Sequence, residues 1–210
     1  MPLEQVHNRI GIHFLNRPLA VGAPGPGTRR LPGEEGIWAF VLGDMLLFSL
    51  FFGTFLYYRN EQTELFLQSQ LLLNKNYGAA NTLLLLTSSW FVATAVHMYR
   101  KHNTEWAARF LAAGFLCGLG FAIIKVTEFV EKFRAGITLN TNDFFMYYFM
   151  FTGIHFLHVL IGLVVLFFIR RTALQTPDGS GIRTLENGAT FWHMVDLLWI
   201  VLFPLIYLLK

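Results

Sequence analysis

Residues 144–169 read FFMYYFMFTGIHFLHVLIGLVVLFFI. Apart from His155 and His158, this stretch holds no acidic or basic side chain, and it is longer than the roughly 20 apolar residues that cross a hydrocarbon core as an α-helix. Inside a bilayer a chain must satisfy its own backbone hydrogen bonds, which favours a helix. The stretch therefore predicts an integral membrane protein.

The same pattern occurs four more times, at residues 36–58, 79–99, 107–130 and 189–209. Hydrophobic residues make up 54% of the 210 residues and charged residues only 14%, too few charges for a soluble surface. The apolar run 65–73 is too short to cross and is predicted to lie at the membrane interface. We predict an all-α, polytopic membrane domain of five helices over residues 34–210, after a flexible tail at 1–33 that is rich in Gly and Pro near its end.

The distribution of Lys and Arg predicts the orientation. Leaving out Arg109 and Lys125, which fall inside spans, nine basic residues lie on the side of the N-terminus and five on the other. The positive-inside rule then places the N-terminal tail in the cytoplasm and the C-terminus outside. The net charge of +3 is thus interpreted as a topology signal, and no nucleic-acid partner is expected.

Cysteine usage limits the metal chemistry available to the chain. Cys117 is the single cysteine, so a disulfide framework, a thiolate zinc site and a cysteine-ligated iron–sulfur cluster are all excluded. A metal site would have to use His and carboxylate ligands.

Seven charged or ionisable side chains inside the spans carry most of the remaining information, because such groups are costly in hydrocarbon unless paired or hydrated. They are Asp44, Lys125, Glu128, His155, His158, His193 and Asp196. Their depths allow Asp44, His158, His193 and Asp196 to share one layer in the cytoplasmic half. Lys125 and Glu128, one turn apart near the outer end of the third span, are expected to neutralise each other. The His and carboxylate set fits a metal site, a proton path or a polar network that fixes helix register.

Small residues predict where helices approach closely. Asn81, Ser88 and Ala95 recur every seven residues, Gly114 and Gly118 form a GxxxG pair, and Gly162 lies one turn beyond His158. We expect these positions to serve helix packing and lipid contact. Trp192 is expected to be an interfacial anchor, and Pro204 to bend the last helix near its outer end.

The polar and aromatic motifs resemble one family, subunit III of the haem-copper respiratory oxidases in its five-helix bacterial form. The motifs that carry the resemblance are Trp38–Phe48 with Asp44, Asn81–Thr82, Ser88–Ser89, Glu128–Phe129, Phe144–Phe145, Thr152–Val159 with both histidines, Gly162, Trp192–Trp199 with His193 and Asp196, and Tyr207. They follow the family's order over residues 34–209. Lys125 departs from the pattern, since a neutral polar residue is more usual there.

The resemblance implies a non-redox accessory subunit of the bacterial inner membrane. It implies that the chain binds no haem or copper itself, and that haem with copper or iron belongs to a catalytic subunit I, with subunit II as a further contact. It also implies a phospholipid cleft between helices 1–2 and helices 3–5, and support of proton uptake.

The segment from Pro32 to Gly36, continuing into Gly43–Met45, looks most like the NorE-type proteins of nitric oxide reductase systems. A different class of function is also open at this point: a stand-alone transporter or metal enzyme that uses the intramembrane His and carboxylate set.

Overall fold

The computed structural model describes residues 35–209, all of them in helices or short connections. The tail predicted at residues 1–33 lies outside the described residues. The helices are α1 Glu35–Glu61, α2 Thr63–Leu71, α3 Lys75–Arg100, α4 Thr104–Arg134, α5 Asp143–Gln175 and α6 Ile182–Phe203, followed by a π-helical turn at Pro204–Leu208.

Five helices are long and apolar enough to cross a membrane, which confirms the predicted number of spans. Each predicted span matches one long helix, namely α1, α3, α4, α5 and α6 with its π-helical turn. Asparagine caps start two of the long helices, α3 and α5, at polar residues before the apolar stretch. At the start of α5, for example, the Asn142 side chain accepts a hydrogen bond from the Phe145 amide at 2.9 Å. The chain is a multi-pass membrane protein.

Helices α3, α4, α5 and α6 form one four-helix bundle, in which α3 packs closely against both α4 and α6. The expected cleft between the first two spans and the other three is therefore wrong in its position, because the second span, α3, belongs to the bundle. The physical reason lies in the face of α3 that carries Asn81, Ser88 and Ala95. All three are buried, and small side chains there let α4 approach closely.

Helix α1 stands apart from this bundle and touches it along α5 and α6. Towards α5 the contact is a seam of aromatic rings, including Phe51 and Phe52 against Phe151, with centroids 6.1 and 5.8 Å apart, and Phe55 against Tyr147 at 5.7 Å. Bulky rings on both sides hold the two backbones apart. The other faces of α1 are largely exposed to what would be lipid.

The short segment predicted at 65–73 is helical, as α2, and is docked on the bundle. Phe66, Ser69 and Gln70 are buried. Ser69 accepts a hydrogen bond from Asn142 at 2.9 Å, and Gln70 donates to the Ile206 carbonyl at 3.0 Å. Because Ile206 lies in the π-helical turn that Pro204 opens, the irregular end of the last span is where α2 attaches.

Candidate functional site

Asp44 and His158 meet between α1 and α5. Asp44 Oδ1 lies 3.3 Å from His158 Nε2, and the side chains are only 12% and 14% exposed. His158 Nδ1 lies 2.9 Å from the Ile154 carbonyl oxygen, which can only accept, so Nδ1 carries a hydrogen. Favourable contact between Nε2 and Oδ1 then requires one shared proton, held either on the imidazole or on the carboxyl group. The pair is a polar link between α1 and the bundle.

His193 and Asp196 form a second group, shared by α6 and α3. His193 Nδ1 lies 2.7 Å from the Ser89 hydroxyl and 3.7 Å from Asp196 Oδ2. Serine and aspartate thus approach the same ring nitrogen, whereas a hydrolytic triad places them on opposite nitrogens. The group links two helices and does not have the geometry of a nucleophile. Ser89 completes it, and the sequence indicated Ser89 only as part of the family motif.

Lys125 and Glu128 pair at 2.9 Å with both side chains buried, as their spacing predicts. Tyr207 from the π-helical turn contacts both, donating to Glu128 at 2.7 Å and accepting from Lys125 at 3.0 Å. Four aromatic rings, from Phe129, Tyr148, Trp199 and Tyr207, surround the ammonium group at 5.0–5.6 Å. Glu128 is therefore not an isolated carboxylate in this chain. A cation held by a carboxylate, a phenol and ring faces is compensated as a buried charge must be.

His155 and Asn81 lie in the bundle interior without protein partners. Both are fully buried, and neither imidazole nitrogen nor either amide atom makes a hydrogen bond within residues 35–209. The His155 ring stacks on Trp199 at 5.3 Å and meets the edge of Phe121 at 5.6 Å. His155 and His158 thus face different surroundings although they are one turn apart.

Trp192 lies at the centre of the bundle, so the expected interfacial anchor is wrong. Its side chain is fully buried, and its indole nitrogen donates to Ser88 at 3.1 Å. Ser88 in turn donates to the Gly114 carbonyl at 2.7 Å. Gly118 and Gly162 leave the space that the indole fills, because a Cβ there would lie 2.7 and 2.6 Å from ring atoms. This tryptophan of α6 therefore contacts the other three helices of the bundle.

A cavity of about 340 Å³ lies between α1 and α6. Trp38, Val41 and Met45 line it from α1, and Thr190, His193, Met194 and Leu197 from α6. Its lining is almost entirely apolar, with His193 and Thr190 as the polar exceptions. The separation predicted for the lipid cleft therefore exists beside α1 rather than beside both of the first two spans.

Metal ligation finds little support in this arrangement. Across residues 35–209 no group of three or more His, Cys, Asp or Glu side chains is close enough to hold an ion. His158 faces Asp44, His193 faces Ser89, and His155 is enclosed by rings. The helices thus direct the histidines into separate groups. What the structure adds to the predicted residues is their partners, Ser89, Tyr148 and Tyr207, which no charge or spacing pattern marked.

Comparison with known proteins gives a consistent result. Residues 33–210 match the family described as cytochrome c oxidase subunit III. The chain is 30% identical over 178 residues to quinol oxidase subunit 3 of Bacillus subtilis, covering 83% of this chain and 85% of that protein. It is 30% identical over 201 residues to cytochrome c oxidase subunit 3 of Alkalihalophilus pseudofirmus, covering 88% and 91%. It is also 27% identical over 175 residues to cytochrome bo(3) ubiquinol oxidase subunit 3 of Buchnera aphidicola, covering 82% and 92%.

The match covers all five long helices and every polar group described above. It agrees with the resemblance that the motifs carried, from Asp44 in α1 to Tyr207 after α6. The chain belongs to the cytochrome c oxidase subunit III family.

Proposed function

We propose that this chain is a non-catalytic accessory subunit of a haem-copper terminal oxidase in the bacterial cytoplasmic membrane. The observation that carries the proposal is the family match over residues 33–210, together with relatives named as subunit 3 of quinol and cytochrome c oxidases. The partner is a catalytic subunit I that holds haem and copper. In this proposal the chain transfers no electrons and stabilises the subunit that does.

The four-helix bundle and helix α1 are held in place by different contacts. The four-helix bundle is fixed by polar contacts across helices, such as Ser88 to Gly114 and Arg100 to Glu186 at 2.7 Å. Helix α1 is attached by the aromatic seam and the Asp44–His158 pair. The apolar cavity between α1 and α6 is of a size to take part of a phospholipid acyl chain. Lipid held there would fill the gap beside α1 and stabilise its position.

Affinity purification tests the assignment of the partner. The tagged chain is isolated from its host membrane in mild detergent, and the visible spectrum of the eluate is recorded. We expect haem absorption from a co-purifying catalytic subunit, and none from the chain purified alone after heterologous expression. Haem or a stoichiometric transition metal in the isolated chain, lost in His155→Ala or His158→Ala, would instead support a stand-alone metal enzyme.

The same purification decides between two partners. The segment from Pro32 to Gly36, continuing into Gly43–Met45, resembles NorE-type proteins, so a nitric oxide reductase is the second candidate. An eluate that reduces oxygen and contains copper supports the oxidase. One that reduces nitric oxide and contains non-haem iron supports the reductase.

The Asp44–His158 pair is the candidate for a role in sustained turnover. Asp44→Ala leaves His158 Nε2 facing no partner from α1, whereas Asp44→Asn keeps an amide that can donate to Nε2 but cannot release a proton at physiological pH. We expect Asp44→Ala to leave assembly and initial oxidase activity near the parent value and to shorten the time over which activity persists. If the pair only packs, Asp44→Asn behaves like the parent chain. If its proton matters, Asp44→Asn is as harmful as Asp44→Ala, and unchanged persistence in both variants would refute a role in turnover.

A further inference from the structure

Two polar side chains in the bundle interior have no partner that the protein supplies. Asn81 on α3 and His155 on α5 are both 0% exposed, and all four of their side-chain polar atoms lack hydrogen bonds within residues 35–209. A buried donor or acceptor left without a hydrogen bond is destabilising, because it loses the bonds that it makes in water. Asp196 also has two buried oxygens without a hydrogen bond, but it approaches His193 at 3.7 Å, whereas Asn81 and His155 make neither a hydrogen bond nor an ion pair within residues 35–209.

Helices α3 and α5, which carry these two side chains, both pack against α6. His155 stacks on Trp199. Trp199 donates its indole hydrogen to Thr82, the residue next to Asn81, at 3.0 Å. The Thr82 hydroxyl itself donates to the Gly78 carbonyl at 2.9 Å, so it already uses its hydrogen. The His155 ring thus contacts Trp199 directly, and the residue beside Asn81 is bonded to the same indole.

The neighbouring charged groups are already engaged elsewhere. Lys125, whose ammonium lies 5.2 Å from the Trp199 ring, donates to Glu128 and to Tyr207. Glu128 accepts from both. The group of Lys125, Glu128 and Tyr207 thus satisfies its own polar atoms, and none of its members bonds Asn81 or His155.

We propose that Asn81 and His155 are ligands of ordered water inside the four-helix bundle. The amide offers two donors and an acceptor, and the neutral imidazole one of each, which complements water well. Since a buried water makes about three hydrogen bonds, on the order of two molecules satisfy these groups. The proposed water adds to the polar groups of a bundle interior that is otherwise mainly hydrocarbon and aromatic, apart from buried side chains such as Lys125, Glu128 and Asp196.

Radiolytic labelling in water enriched in oxygen-18 tests the proposal on the full chain in lipid nanodiscs. Hydroxyl radicals formed from bound water modify adjacent side chains even where bulk solvent does not reach. We expect oxygen-18 incorporation at Phe121 and Trp199, both 0% exposed, several-fold faster than at Phe151. Phe151 is the matched control, because it is equally buried and its ring neighbours are Phe51, Phe52, Phe55 and Tyr147.

A double variant tests whether these polar side chains hold the water. Asn81→Leu together with His155→Phe removes the polar ligands, so labelling of Phe121 and Trp199 should fall to the rate of Phe151. Labelling of Phe121 and Trp199 at the Phe151 rate in the parent chain would overturn the proposal and indicate a dry core. Since the parent chain alone gives this comparison, the test stands even if the double variant does not fold. Its outcome is independent of the oxidase assignment, because it needs no partner subunit.

Discussion

The Trp192 indole packs against two glycines, Gly118 and Gly162, and adding one methyl group at either position tests this packing. In Gly162→Ala the new Cβ would lie 2.6 Å from Trp192 Cε3, and in Gly118→Ala it would lie 2.7 Å from Cη2, where ordinary contacts begin near 3.4 Å. The indole cannot move away from one glycine without meeting the other, and its nitrogen is tied to Ser88. Overpacking of this kind costs about 1–3 kcal/mol.

The opposing effect is helix propensity, which favours alanine over glycine by about 1 kcal/mol. Gly153, also in α5, is the matched control because a Cβ there has no neighbour within 4 Å. Gly153→Ala should therefore leave stability unchanged or raise it. Gly162→Ala and Gly118→Ala should lower the midpoint of thermal unfolding by a few degrees relative to Gly153→Ala, on the scale expected for a chain of this size.

The assay is the fraction of monodisperse protein that survives heating in detergent, followed by size-exclusion chromatography. A second substitution sharpens the test. Trp192→Phe removes the outer edge of the indole that meets Gly118, so it should cost less in the Gly118→Ala background than in the parent, whereas with Gly153→Ala the two effects should add. Equal midpoints for Gly162→Ala and Gly153→Ala, or additivity of Trp192→Phe with Gly118→Ala, would refute the tight packing of Trp192 against these glycines.

Three further predictions address the last span and the topology. Gln70→Leu removes the donor to the Ile206 carbonyl, so protease cleavage around α2 should accelerate while the free energy of unfolding of the bundle stays within about 1 kcal/mol of the parent value. Unchanged cleavage would contradict docking by this bond. Lys125→Met leaves Glu128 as a buried charge without its cation and should destabilise the protein by about 3–5 kcal/mol in chemical unfolding. If the lost ion pair is the cause, adding Glu128→Gln should recover much of the lost stability. A reporter active only in the cytoplasm should work when inserted between Gln175 and Ile182 and fail after Lys210, and the reverse pattern would invert the proposed orientation.

The number and position of the spans could be predicted from the sequence because hydrophobic length alone sets them. Residues 144–169 hold so few polar groups that a membrane-spanning helix is favoured, and the chain forms a helix at Asp143–Gln175. The pairing of Lys125 with Glu128 could also be predicted, since residues one turn apart on a helix are neighbours in any context. Both predictions rest on local rules that need no knowledge of which helices meet.

Helix arrangement could not be predicted in the same way. Trp192 is adjacent to a histidine and close to the start of its apolar stretch, which is typical of an interfacial tryptophan. Its burial depends on Gly118 and Gly162, which lie on two other helices. The contact of these glycines with Trp192 exists only when the three helices are packed together. The position of the cleft was an expectation from the family resemblance. The small residues of α3 indicate that some helix approaches there, but they do not identify it as α4.

The contrast between α1 and the bundle explains how an accessory subunit can influence a partner without taking part in its chemistry. The spans of the bundle are more deeply buried than α1. In α1, 11% of the most apolar window is buried, against 56% in α6. Displacing α1 would thus expose little core, whereas displacing α6 would disrupt the bundle. A contact that shifts α1 would separate the aromatic seam and the Asp44–His158 pair, together with the contacts of α1 with α6. In the proposed role this pair couples the position of α1 to protonation inside the membrane, and the comparison of Asp44→Asn with Asp44→Ala tests that coupling.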